Sequence, residues 1–311
     1  MKRFLLALAF ICFDAISADA AARFAVCTTT CTWDGSSTAM WSTSSGGATG
    51  ASVPGSADTV TLDAATCVGG TTCTIIVNTT VNVTSITFGA CTASTAGCIL
   101  DFATNNNNVT ISTTFSGTGI GTRTLSMGNG VWTFGGGASA TWNFLTTTNL
   151  TLNINSSTMV WVGASTSLSF FGGAKTWGAL TINANSSNPA TVYQFESGNS
   201  ANNTFASLTV NAPASISFRA GATQTFTGGI TVSGSSSSNL VYFYGDGASN
   251  VNATIAVGAV SNVAYTAWRD ITGATSAINA TSSYDLFKAT AGLGTLSITL
   301  PSSGGGRIIG G

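Results

Sequence analysis

Histidine is absent from the 311 residues, and charge is scarce, with 9 basic and 10 acidic side chains leaving a net charge of -1. Without an imidazole, Ser/His/Asp and Cys/His nucleophilic catalysis is excluded. So few basic groups also exclude a strongly basic nucleic-acid surface. Long apolar runs are missing too: the stretch Phe4 to Phe13 falls well short of the roughly 20 residues that span a bilayer, and no later segment comes closer. No membrane span is expected. What the chain does have is 44% apolar residues, 17 Phe, 7 Trp and 37 Gly. Disordered chains pair low hydrophobicity with high net charge, so this composition predicts a packed core. A structural or binding role follows more readily than an enzymatic one, with no cofactor implied.

Lys2 and Arg3 precede the apolar run, and Ala18-Asp19-Ala20 and Ala20-Ala21-Ala22 place small residues where a signal peptidase cuts. Residues 1–22 therefore read as a signal peptide, or as an uncleaved N-terminal hydrophobic segment. Its removal takes Cys12 with it and leaves six cysteines: Cys27, Cys31, Cys67, Cys73, Cys91 and Cys98. They fall in close pairs separated by small, turn-forming residues, which favours the local disulfides 27 to 31, 67 to 73 and 91 to 98. Their spacings, with no histidine, fit zinc poorly, so no metal is expected. Disulfides in turn imply an oxidising compartment, extracellular, at a cell surface or on a virion.

Beyond Pro54 short β-prone runs alternate with Gly/Ser/Asn/Thr turns, as in VTLD from Val60, LTLNIN from Leu150, MVWV from Met159 and LVYFYG from Leu240. Apolar residues recur at period two, and no window has the amphipathic stripe of a helix. The fold class is all-β. TWGALTINA from Thr176 and TFASLTVNA from Thr204 repeat at an offset of 28, with a looser echo, TFTGGITVSG, from Thr225. Repeats this short are the mark of a solenoid, in which each coil buries its inward side chains on its neighbours. The expectation is a single-stranded right-handed parallel β-helix, with tandem β-sandwiches as the alternative. A sandwich of about 100 residues is far longer than the repeat. The chain divides into a cap over 23–59, a solenoid over 60–270, C-terminal strands or a cap over 271–300 and a Gly-rich tail over 301–311.

The opening of the mature chain, WDGSSTAMWSTSSGGATGASVPGSADTVTLDAATC from Trp33 to Cys67, resembles a family of uncharacterised environmental phage and phage-related bacterial proteins of tail-fibre or adhesin-like type. TFASLTV near Phe205, FRAGATQTFTGGITVSG from Phe218 and VAYTAWRDITG from Val263 are similar to the same family. The resemblance covers nearly the whole mature chain and implies a parallel β-helix with a virion or surface structural role and no established catalytic residues. The export-like leader and the cysteine pairs depart from it. By analogy with fibrous phage parts it implies a homo-oligomer, a trimer or a polymer.

Candidate contact residues are few. Trp132, Trp142, Trp161 and Trp177 recur along the chain and, facing outward, would stack on the sugar rings of a cell-surface glycan; facing inward, they fill the core. Asp34, Asp58 and Asp63 read as turn caps, or with loop carbonyls as a calcium site. Glu196 and Asp246 lie 50 residues apart and would be the carboxylates of a polysaccharide depolymerase if the coil stacked them. Trp268-Arg269-Asp270 reads as the end of the coil. The expected function is a non-enzymatic, self-associating structural and adhesive protein, with a bacterial filament or surface-layer subunit and a depolymerase as the rivals.

Overall fold

A computed structural model describes residues 20–89, 97–137, 139–163, 167–183, 191–195, 202–234, 236, 239–246, 252–275, 277–287 and 296–298. The leader through residue 19, the tail 301–311, Cys91 and Glu196 lie outside the described residues. Among the described residues there is no helix, and nearly every strand pairs in parallel with strands about one repeat away.

Three series of strands build most of the molecule, and Ser261–Ala264, Ile278–Thr281 and Leu296–Ile298 form a further three-stranded sheet. In the first, the front half of Val109–Ser116 pairs with Val131–Gly135, followed in order by Thr158–Val162, Ala179–Asn183, Leu208–Val210 and Ile230–Val232. In the second, its back half pairs with Ala140–Asn143, and the series runs on through Ser167–Phe171, Val192–Phe195, Ala214–Phe218, Val241–Gly245 and Thr266–Arg269 to Tyr284–Phe287. The third consists of two five-stranded sheets, from Thr30–Trp33 to Leu150–Asn153 and from Thr176–Trp177 to Ile271–Thr275. Between residues 131 and 275 the chain visits the series in turn, so most strands pair with the third strand after them, whereas Leu150–Asn153, Ile230–Val232 and Ile271–Thr275 have no such partner among the described strands. These are stacked parallel sheets in a solenoid-like arrangement. Sandwiches require antiparallel sheets, and among the described strands the antiparallel pairing is that of Ala22–Ala25 with Trp41–Ser42.

The 28-residue repeat is a register. Leu180 sits opposite Leu208, Thr181 opposite Thr209 and Ile182 opposite Val210, while Trp177 faces Phe205, which faces Phe226. Alternation along each strand then does the sorting: one set of side chains enters the core and the other forms outward rows such as Thr110, Thr133, Val160, Thr181, Thr209 and Thr231. Inside the second series a column of rings passes from rung to rung. Phe195 and Phe218 stack at 4.9 Å, and Phe243 and Trp268 at 4.5 Å. Burying one such side chain contributes roughly 1.5–3 kcal/mol.

Corners between series are tight. Gly178 lies so close to the neighbouring rung that a Cβ there would collide with the Ser157 carbonyl oxygen. Tyr265 and Asp270 each turn the chain as single residues at φ 55° and 54°, in the left-handed region where non-glycine residues are uncommon. Trp268-Arg269-Asp270 does not end the coil, contrary to expectation. Asp270 is a corner, and Ile271–Thr275 continues the stack by pairing with Ala253–Val257. One buried cation, Arg123, holds a corner from within: its guanidinium donates to the carbonyls of Gly117, Gly121, Thr146 and Thr148. Burial pulls its pKa below the ordinary arginine value.

Candidate functional site

The tryptophans expected to meet sugars do not face solvent. Trp132, Trp142, Trp161 and Trp177 are each at most 1% exposed. They occupy inward positions of their strands, Trp142 stacking on Phe170 and meeting Trp177 edge-on at 5.5 Å. The physical reason is area: an indole buried in an aromatic column gains more than one left in water. The glycan-contact assignment of these four residues is therefore corrected.

Outward aromatics appear elsewhere, at the C-terminal end of the second series. In Val241–Gly245 the residues Val241 and Phe243 point into the core, so Tyr242 and Tyr244 point out. Along the stack Tyr242 lies between Ser215 and Ala267, and Tyr244 between Ser217 and Arg269. A groove of about 380 Å³ lies here, walled by Tyr242, Tyr244, Arg269 and Leu286, with the buried Ala267 at its floor. Tyr242 is 41% and Leu286 47% exposed, large apolar surface left in water.

Arg269 places its guanidinium carbon 5.2 Å from the Tyr244 ring centre, a cation–π contact that fixes the wall. Its Nε also lies 3.5 Å from Asp270. Burial raises the Tyr244 phenol above its ordinary pKa, opposed by a hydrogen bond from Ser217 and the charge of Arg269, so it is a neutral donor and acceptor at pH 7. Beside it Asp246 faces Arg219 at 3.6 Å and accepts the Ala220 amide at 2.7 Å. The site thus combines exposed rings with planar hydrogen-bonding groups whose charges are already matched. The strand LVYFYG was legible in sequence, and period two alone puts its tyrosines on the face opposite Val241 and Phe243. The groove beside them depends on register across rungs, which no local pattern carries.

The acidic candidates are dispersed. Asp34 accepts the amides of Ser36 and Ser37, which hold its pKa below the ordinary carboxylate value. Asp58 accepts from Gly55 and Ala21 and faces Arg23 at 3.8 Å, and Asp63 accepts from Ala65. Each closes its own turn, and among the described residues no three carboxylates converge. Asp246 pairs with Arg219, while Glu196, its supposed partner, lies outside the described residues.

Disulfides join Cys27 to Cys31 and Cys67 to Cys73, and Cys98 is also disulfide-bonded, its expected partner Cys91 lying outside the described residues. Cys27 bridges to Cys67 across one rung, and Cys73 sits opposite Cys98 across the next. The staples consequently form a column. The sulfurs of Cys67, Cys73 and Cys98 lie within 4.8 Å of one another, and their disulfide bonding leaves no thiolate to ligate a metal.

No helix among the described residues is long and apolar enough to cross a membrane. No protein-family model matches this chain, nor does any curated protein or solved structure.

Proposed function

We propose that the protein is an extracellular or virion-exposed structural and adhesive element, a single-stranded right-handed parallel β-helix that self-associates and holds cell-surface glycans. It is non-enzymatic on this reading. The supporting observation is the outward groove of Tyr242, Tyr244 and Arg269. Sugars are recognised by rings that stack on their apolar faces and by planar polar groups that meet their hydroxyls, and both are present there. The disulfide column fits an oxidising location outside the cell. The phage or phage-related tail-fibre role implied by the opening sequence remains part of the proposal.

A filament or surface-layer subunit is the second reading. It is favoured by Thr30–Trp33 and Ile271–Thr275, which stand last in their sheets at opposite ends of the third series. Edge strands of this kind invite pairing with another copy.

The adhesive reading is tested by incubating labelled protein with glycan-bearing cells before and after periodate oxidation of their sugars. Binding abolished by periodate is the expected result. Binding that survives oxidation would defeat the glycan assignment, and steady release of reducing ends from a polysaccharide would replace adhesion with hydrolysis.

A further inference from the structure

We infer that the groove takes an uncharged linear glycan, lying along the stacking direction of the rungs across the C-terminal end of the second series. This rests on the adhesive reading and adds the class and orientation of the ligand.

Charge decides the class. An anionic polysaccharide, rich in uronate or sulfate, is bound by arginines or lysines free to point their forks at it. Here the two arginines at the site are both engaged: Arg219 with Asp246 at 3.6 Å and Arg269 with Asp270 at 3.5 Å. Arg269 is in addition held over Tyr244. Each of these cations has a carboxylate beside it, and the exposed Asp285 stands between Tyr284 and Leu286, so the site carries no uncompensated positive charge. An anionic ligand would have to displace Asp246 or Asp270 from its partner, and a cationic one would meet the guanidinium groups. A neutral chain meets neither penalty, and its hydroxyls can use the Tyr244 phenol, the exposed guanidinium edges and the carboxylates as they stand.

Register decides the orientation. Ser215, Tyr242, Ala267 and Tyr284 occupy successive rungs in one row, and Ser217, Tyr244 and Arg269 the row beside it. Neighbouring strands are about 4.8 Å apart, so the rows run across the strands for roughly 10–15 Å. Ser215 and Ala267 flank Tyr242 along that line, and the exposed surface of the groove is carried by Tyr242 and Leu286. A linear chain laid along the row can place one ring against Tyr242 and the next against Leu286. Set across the rows instead, along a strand, it would meet only one rung and so only one of Tyr242 and Leu286.

Affinity electrophoresis of the full chain through gels carrying a neutral glucan, a uronate polymer or no polysaccharide tests this directly. Retardation by the neutral glucan alone is expected, at least tenfold weaker in Tyr242→Ala and weakened but retained in Tyr244→Phe, which keeps the ring and removes the hydroxyl. Both positions are on the outer face, and circular dichroism of each variant checks that the sheets persist. Retardation by the uronate polymer alone would overturn the neutral class while leaving adhesion intact. Neutral-glucan binding indifferent to Tyr242→Ala would overturn the location. No retardation in either gel, together with no periodate-sensitive binding to cells, would remove the adhesive reading itself.

Discussion

Tyr193 shows how a single side chain is tied to the stack. It is 1% exposed, its ring stacks on Trp161, and its hydroxyl donates to the Asn183 carbonyl at 2.8 Å. Burial pushes its pKa from 10.0 to about 12, a hydrogen bond with the Gly163 backbone opposing the shift. Below pH 10 the phenol is protonated both folded and unfolded, and the stability it provides is complete. Between pH 10 and 12 the unfolded chain ionises first, so stability falls as pH rises, by about 2–3 kcal/mol once the folded form titrates. Urea denaturation at pH 9 and pH 11.5 should show that decline in the unmodified protein and a shallower one in Tyr193→Phe. An identical decline in both proteins would place the titrating group elsewhere.

At the level of strands, the disulfide column and the aromatic column act differently. The Cys67–Cys73 bond closes a short loop, worth about 2 kcal/mol in the chain-entropy model. Its position opposite Cys98 makes that gain local to the rungs around Cys73–Val77. Replacing both cysteines with serine should lower amide-exchange protection in Thr30–Trp33, Cys73–Val77 and Cys98–Asp101 and leave Ala214–Phe218 unchanged. Protection lost uniformly would mean that the column stabilises the chain as a whole. The Cys27–Cys31 and Cys67–Cys73 bonds were legible as close pairs in sequence, and the repeat was legible because Leu180 and Leu208 keep both spacing and type. The direction of Trp132 and Trp142 was not. A short run of alternating residues leaves open which set faces inward, and with tyrosines and threonines on both sets the answer comes from neighbouring rungs. Arg123 was equally silent, since its acceptors are backbone carbonyls, and any residue type could supply them.

Across the whole molecule, strands meet partners one rung away, and the stability of such an array is close to a sum of rung and interface terms. Trp268 tests whether the sum holds. It is fully buried at the C-terminal end, stacks on Phe243 at 4.5 Å and donates from Nε1 to the Thr266 hydroxyl at 2.6 Å. Truncation to alanine removes the ring and the donor together and should cost about 3–5 kcal/mol where the surroundings cannot collapse. In a uniformly cooperative domain that loss would reach every amide. In a stack it should be confined to Val241–Gly245, Thr266–Arg269 and Tyr284–Phe287, with protection at Cys98–Asp101 and Val131–Gly135 kept within about twofold, because more than three rungs separate them from the damage. The same variant should broaden the urea transition, or split it in two, as the C-terminal rungs come to melt before the stapled N-terminal ones. A sharp single transition, moved to lower urea with all amides losing protection in parallel, would show that the rungs unfold as one body and that nearest-neighbour addition fails for this chain.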